Sequence, residues 1–269
     1  IIWLYDAVEP IIKDGRLKEL VGVMVDITER KQAEAALQSR TGELAMQNHI
    51  LRLINQKMPL NQVLDSLARQ IEVLHPEMIC SILLLDAQNK LRHGAAPSLP
   101  EAYNHAIDGL DIGIGVGSCG TAAFLGERVI VEDVKTHPYW AAYREIAGKA
   151  NVQACWSQPI KNSTGQVLGS FAIYHRQPTL PTDAEILLIE RYADLALLAI
   201  EHDRAEATIR NLAYYDPLTQ LPNRRLLIEQ LQHGLSISQR DGKPLALLML
   251  DLDYFKAVND GLGLSLIHI

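Results

Sequence analysis

Cysteine is scarce in this chain: three in 269 residues, an odd number, with no CxxC pair. That argues against a disulfide framework and suits a reducing compartment. The nine histidines show no metal-ligand spacing with one another or with cysteine. There is no basic run, and the formal net charge is −7. Both facts argue against a nucleic-acid surface. No apolar stretch approaches the roughly 18–20 residues of a membrane span. Nor is there a basic start followed by an apolar segment of signal-peptide type. The expectation is a cytoplasmic chain; an anchor upstream of residue 1 lies outside what these residues test. What is present is ordinary for globular protein, with 48% hydrophobic and 21% charged residues. The length suffices for one to three domains.

The richest chemistry lies in Pro244–Gly263, PLALLMLDLDYFKAVNDGLG. Leu245–Leu250 is an almost unbroken apolar run, which predicts a strand buried on both faces. It ends in Asp251-Leu252-Asp253. On a strand, positions i and i+2 share a face, so two carboxylates would emerge together at its carboxyl end. Open α/β sheets bind ligands there, and paired carboxylates beside a phosphate suit Mg²⁺. The competing reading is a solvated strand end carrying two surface aspartates.

Asp216-Pro217-Leu218-Thr219-Gln220-Leu221-Pro222-Asn223-Arg224-Arg225 resembles the opening of GGDEF domains, the diguanylate cyclase family. Leu250–Asp260 resembles that family's first strand and following helix, in the same order and at a compatible spacing. The resemblance implies that two GTP molecules, one per subunit of an antiparallel pair, condense to cyclic di-GMP with Mg²⁺. It implies that Asp251, with the backbone of Leu252, holds metal, Asp253 more weakly. Phe255, Lys256 and Asn259 would then bind GTP, with Asn259 on the guanine. The resemblance stops at Gly263. The family continues with a His and, four positions on, a second guanine-reading Asp, where this chain has Leu264 and His268. Residues 264–269 read as a non-native tail, and the GG[DE]EF hairpin is missing. No complete catalytic set is therefore expected within these residues, which should be inert as a cyclase.

Residues 1–27 read as a hairpin: Ile1–Ile12, turn residues Lys13-Asp14-Gly15-Arg16, and a return strand Leu17–Ile27. A lone hairpin is marginal, so the end of a larger sheet is expected. Together with Asp26-Ile27-Thr28-Glu29-Arg30-Lys31 it resembles the end and exit motif of a PAS sensor domain. Asp26 and Glu29 have capping-box spacing, opening a helix through Asn55. Residues 28–43 are assigned as a signalling-helix linker. Leu37, Leu44 and Leu51 are seven apart, as in a coiled-coil seam, whereas Thr41 and Asn48 occupy the other core position. The helix is either a solvated connector or a homodimer-forming signalling helix.

Residues 44–204 read as one α+β domain. Leu60, Val63, Leu64, Leu67, Ile71 and Leu74 recur at helical spacing. Strands are expected at 78–86, 91–95, 128–132, 153–160 and 167–176, and Thr182-Asp183-Ala184-Glu185 is a capping box opening a helix to about Asn211. Gly115-Val116-Gly117-Ser118-Cys119-Gly120 fits G-x-G-x-x-G, with Asp133 where a ribose-binding acid would stand. The dinucleotide reading fails: no core strand precedes the glycines, and Gly120 to Val129 is too short for a crossover. The expectation is a Gly-rich turn with Ser118 capping a helix Cys119–Leu125, a helix start that could receive an anion. The stretch GVGSCGTAAFLGERVIVEDVKTHPYW, with ACWSQPI and GQVLGSFAIYH, resembles a GAF domain of a signalling subgroup. Cys119 in a first helical turn and Cys155 on a strand are candidates for a ligand or redox site. Some GAF proteins reduce free methionine sulfoxide with cysteines, which supplies a rival enzyme reading. The alternative is two small buried residues. Trp140, Trp156 and Tyr174 read as core, and His137 and His175 as loop and strand-end residues.

Ile186, Ala193 and Ile200, with Ile189 and Ala196, stripe the long helix. It runs through a linker, 205–213, to residues 214–263, the start of the cyclase region, where Asn223 caps a further helix. The expected fold is α+β and multidomain: the end of a PAS sheet, a GAF domain with an antiparallel sheet, and the start of a GGDEF α/β domain, joined by long helices. The expected function is the sensory portion of a bacterial cyclic di-GMP signalling protein. The alternative is a non-catalytic ligand-binding dimeriser with a degenerate cyclase region.

Overall fold

The computed structural model describes residues 2–13, 16–250 and 253–254. The chain divides into two units, Ile1–Ala205 and Glu206–Ile269.

The first unit opens with strands β1 (Leu4–Lys13) and β2 (Arg16–Asp26), paired antiparallel with Leu4 opposite Asp26. The expected hairpin forms. Among the described residues no third strand joins it, and Trp3, Leu4, Tyr5, Val23 and Met24 are exposed. Helix α1 (Thr28–Asn55) follows. Its start corrects the expected capping box. Ile27 occupies the N-cap and makes no side-chain cap. Asp26 Oδ1 accepts the Thr28 N–H at 2.9 Å, one position too early to close a box with Glu29. Met46, Ile50 and Ile54, at i, i+4 spacing, turn one stripe of α1 into the core, while Leu37 and Leu44 stay exposed.

Helix α2 (Leu60–Leu74) buries Val63, Leu64, Leu67 and Ile71, four of the six residues its periodicity selects; Leu60 is half-buried and Leu74, in the last turn, is exposed. A five-stranded antiparallel sheet then forms in the order β4-β3-β7-β6-β5. Its strands are β3 (Ile79–Leu85), β4 (Leu91–Ala95), β5 (Val129–Val131), β6 (Ala154–Lys161) and β7 (Val167–His175). All five match the expected strands to within two residues at each end. Side chains alternate between faces. Cys80, Ile82, Trp156, Phe171 and Ile173 pack under α1, α2 and the last helix of the unit. Ile79, Leu83, Cys155, Ala172 and Tyr174 face the other way. That face is covered by α3 (Glu101–Ile107), α4 (Gly117–Leu125), a 3₁₀ turn (Pro138–Trp140) and α5 (Arg144–Lys149). Gly169 is where β7 approaches β3 most closely: a Cβ there would lie 2.2 Å from the Leu83 carbonyl oxygen.

Helix α6 (Asp183–Tyr214) opens on the expected capping box. Glu185 Oε2 accepts the Thr182 N–H at 2.8 Å, and Thr182 Oγ1 accepts the Glu185 N–H at 3.3 Å. It buries Ile189, Tyr192, Ala193, Ala196, Ala199 and Ile200, and runs three residues past the expected end at Asn211. Among the described residues no helix is long and apolar enough to cross a membrane.

In the second unit, α7 (Arg224–Asp241) is capped as expected, Asn223 Oδ1 accepting the N–H groups of Arg225 and Leu226. Asp216 Oδ1 gathers the N–H groups of Leu218 and Thr219, making the turn of the DPLT motif. The expected buried strand at Leu245–Leu250 does not form. The segment is irregular, and Leu248, Met249 and Leu250 are 81%, 86% and 89% exposed. A strand buried on both faces needs neighbours to complete its backbone ladder. Among the described residues of this unit there is none.

Candidate functional site

Strand register builds a pocket on the α4 face of the sheet. Tyr174 on β7 lies opposite Ile79 on β3 and Cys155 on β6. One row along, Ala172 lies opposite Ser81 and Ser157. Paired residues point to the same face, so three small side chains, Ser81, Ala172 and Ser157, form a shallow floor across three strands. Helix α4 lies over it and brings Cys119 down onto Ser157 Oγ at 3.2 Å and the Tyr174 hydroxyl at 3.5 Å. Cys155 Sγ is 3.8 Å from the same Ser157 Oγ. Tyr174 OH also bonds Ser81 Oγ at 2.9 Å. The two thiols expected as candidates are thus brought together around one hydroxyl, 8% and 0% exposed. Among the described residues all three cysteines are free.

Ser118 is a correction. It does not cap α4, whose N-cap is Val116 with no side-chain bond. Ser118 lies inside the helix and points at the sheet, donating to the Cys155 carbonyl at 3.3 Å and accepting Trp140 Nε1–H at 2.9 Å. Gly120 lets the first turn of α4 close on itself: a Cβ there would meet the Val116 side chain at 2.7 Å. Asp133, the would-be ribose ligand, accepts the Lys135 N–H in a turn instead.

The cavity left beneath α4 holds about 30 Å³. That is room for one or two waters. Leu83, Leu91, Trp140 and Tyr174 make much of its wall, and no Asp, Glu, Lys, Arg or His lines it. Tyr103, Tyr143 and Ile146 line both this cavity and a groove of about 570 Å³ outside α3 and α5. One layer of side chains therefore separates the cavity, and with it Cys119, from that groove. Electrostatics divide the pair. Hydrogen bonding from Cys155 brings the Cys119 thiol down to about 6, with Ser157 and Tyr174 adding donors against the cost of burial. A first-turn position works in the same direction. Burial pushes Cys155 well above the ordinary thiol value, and Tyr174 likewise above that of a phenol. Ser157, Ser81 and Tyr103 had not been singled out from sequence. The signal was there in the i, i+2 spacing of Cys155 with Ser157 and of Ala172 with Tyr174. Trp140, Trp156 and Tyr174 are core as expected.

Of the expected nucleotide and metal residues, Asp251, Leu252, Phe255, Lys256 and Asn259 lie outside the described residues. Asp253 is described and exposed. One exposed carboxylate does not make a six-oxygen Mg²⁺ site. Among the described residues no cluster of His, Cys, Asp or Glu could hold a metal ion.

A five-stranded antiparallel sheet with helices on both faces and a closed, thiol-bearing cavity under one of them makes the first unit an α+β domain. The chain belongs to the GAF domain family, whose model matches residues 57–201. Residues 213–266 match the model described as "Diguanylate cyclase, GGDEF domain". The methyl sulfide methyltransferase-associated sensor of Methanosarcina acetivorans is 37% identical over 253 residues, 93% of this chain and 23% of that protein. The bifunctional diguanylate cyclase/cyclic di-GMP phosphodiesterase MucR of Pseudomonas aeruginosa is 44% identical over 71 residues, 26% of this chain and 10% of that protein. The chain thus spans a quarter or less of these two relatives. The GAF domain of a phosphoenolpyruvate-protein phosphotransferase from Coxiella burnetii has the same fold, with TM-score 0.50 and 20% identity over 62% of this chain and 98% of that one.

Proposed function

We propose that the chain is the sensory and regulatory portion of a cyclic di-GMP signalling protein in which a GAF domain controls a diguanylate cyclase. The observation that carries this reading is α6. It buries Ile189, Tyr192, Ala193, Ala196, Ala199 and Ile200 in the GAF core and ends at Tyr214, just inside the segment that matches the cyclase family. A signal that repacks the GAF sheet can act on the same helix that opens the cyclase region. The cavity at Cys119 and Cys155 is the input site, and residues 1–27 are the end of a PAS domain that supplies a second input. Exposed Leu37 and Leu44 on α1, with Leu187 and Leu198 on α6, form the seam of a homodimer. That pairing sets the approach of two cyclase halves in the cytoplasm.

In the parent, Asp251 and the Leu252 carbonyl would hold Mg²⁺, which neutralises triphosphate charge, and Phe255, Lys256 and Asn259 would bind GTP. The rival sulfoxide reductase reading conflicts with the cavity's size. An apolar cavity of about 150 Å³ is what benzene needs, and free methionine sulfoxide is larger than benzene, whereas this cavity holds about 30 Å³.

The test is cyclic di-GMP formation from GTP by a chain extended through a whole GGDEF domain. Ala172→Val, which overpacks the buried row of Ser81, Ala172 and Ser157 beneath Cys119, should change output at least about threefold if packing there reaches the helices. Unchanged output with the fold intact would remove the cavity as input. Absence of any nucleotide product would instead favour the non-catalytic dimerising module.

A further inference from the structure

We propose that Cys119 and Cys155 are a hydroperoxide-reactive pair, Cys119 the attacking sulfur and Cys155 the one that resolves it to a disulfide. This deepens the reading of the cavity as the input site and rests on it.

Four observations converge. The two sulfurs share Ser157 Oγ, at 3.2 and 3.8 Å, so the pair is already together in the reduced fold. Cys119 stands in the first turn of α4, where backbone N–H groups favour a thiolate. Ser170 Oγ, fully buried, has no hydrogen-bond partner, yet it lies near enough to Cys119 to favour the thiolate. A buried donor without a partner is costly, so it marks a place where an anion or a new oxygen is accommodated. Finally, the cavity beside Cys119 holds about 30 Å³, and apart from Cys119 no Asp, Glu, Lys, Arg or His lines it. That selects an uncharged reactant of about two heavy atoms, the size class of a water-filled void. Hydrogen peroxide is such a reactant. It needs to pass only the layer formed by Tyr103, Tyr143 and Ile146. The difference between the thiols assigns the roles: Cys119 is held low and Cys155 is held protonated by burial.

The chemistry balances. The Cys119 thiolate attacks one peroxide oxygen; the S–O bond forms, the O–O bond breaks, and hydroxide leaves. Sulfur loses two electrons and peroxide gains them, giving a sulfenic acid. The hydroxide takes up the proton that Cys119 had released and becomes water. Cys155 sulfur then attacks Cys119 sulfur; the S–S bond forms and the S–O bond breaks. The departing hydroxide takes the Cys155 proton as a second water. Two thiols and one peroxide give one disulfide and two waters.

The experiment uses the whole 269-residue chain, reduced, with hydrogen peroxide as the probe. Thiols are counted after denaturation, and oxidised sites are mapped by mass spectrometry. The wild-type chain should lose two of its three thiols, with Cys119 and Cys155 cross-linked and Cys80 still reduced. Cys155→Ser should stop at a sulfenic acid on Cys119 that dimedone traps. Cys119→Ser and Cys119→Ala should slow thiol loss at least about tenfold, as expected when the low-pKa thiolate is the nucleophile. Oxidation of Cys80 first, or equal rates in wild type and both Cys119 variants, would overturn the proposal. So would a wild-type chain whose thiols persist under peroxide. The wild-type map needs no variant, so a variant that misfolds does not blunt the test. The readout is thiols, not nucleotide. Inert thiols with an Ala172→Val effect on cyclic di-GMP sink the redox pair and keep the input site. Reactive thiols without that effect do the reverse.

Discussion

Cys119 and Cys155 share the Ser157 hydroxyl, and their surroundings push the two thiols in opposite directions, hydrogen bonding lowering Cys119 and burial raising Cys155, a difference testable in solution. Cys119 falls to about 6 from an ordinary 9.0. Between those values the folded chain carries a thiolate while the unfolded chain carries a thiol, so the unfolded state binds the extra proton. Stability should therefore rise with pH across that window and be lost as pH falls through the folded value. Ultraviolet absorbance of the thiolate should titrate near pH 6 in the wild type and vanish in Cys119→Ser. A wild-type signal that appears only near the ordinary thiol value would refute the assignment. A second prediction concerns Gly169, whose Cβ would sit 2.2 Å from the Leu83 carbonyl oxygen. Backbone cannot step aside as a flexible side chain can. Gly169→Ala should cost about 1–3 kcal/mol of unfolding free energy by urea titration. At this scale the sequence was only partly legible. It named both cysteines, because their types are rare in the chain. It did not reveal that Ser118 points inward, because a serine directly after a Gly-rich turn looks like a cap. Only the position of Trp140 and β6 decides otherwise.

Among the elements, those with local signals were legible: α2 from its apolar stripe, β6 and β7 from the turn residues Asn162-Ser163-Thr164-Gly165 between them, α6 from Thr182 and Glu185. Their boundaries follow from residues a few positions apart. The capping box at Thr182 is also measurable. Thr182→Ala removes the acceptor for the Glu185 N–H and should lower stability by about 1 kcal/mol. An unchanged urea midpoint would show the box to be dispensable. Helices α3 and α5 are short, 7 and 6 residues, and carry too little periodicity to be read in advance. The run Leu245–Leu250 shows the opposite failure. Its composition announces a buried strand, but burial and pairing come from neighbours, and the described residues of its unit supply no strand beside it. The proposed seam of α1 and α6 belongs to this scale too. Leu44→Glu should shift the chain toward monomer in sedimentation equilibrium. A wild-type chain that is already monomeric at high micromolar concentration would dismiss the seam.

For the whole molecule, one helix links a GAF fold built around two opposed cores to the start of a cyclase-family region. The helices α1, α2 and α6 pack on one sheet face and the thiol cavity lies on the other. The sheet between them is therefore the element through which the cavity and α6 can influence each other. This division was not legible in the sequence beyond strand alternation, because it depends on strand order β4-β3-β7-β6-β5, which no local motif encodes. Residues 1–269 alone should form no cyclic di-GMP from GTP and Mg²⁺, since they lack the GG[DE]EF motif. The most direct measurement is nucleotide product from the chain carried on through a whole GGDEF domain. The account predicts cyclic di-GMP that disappears in Asp251→Asn and changes at least about threefold in Ala172→Val, as a repacked core would impose. No product, or product indifferent to Asp251→Asn, would contradict it.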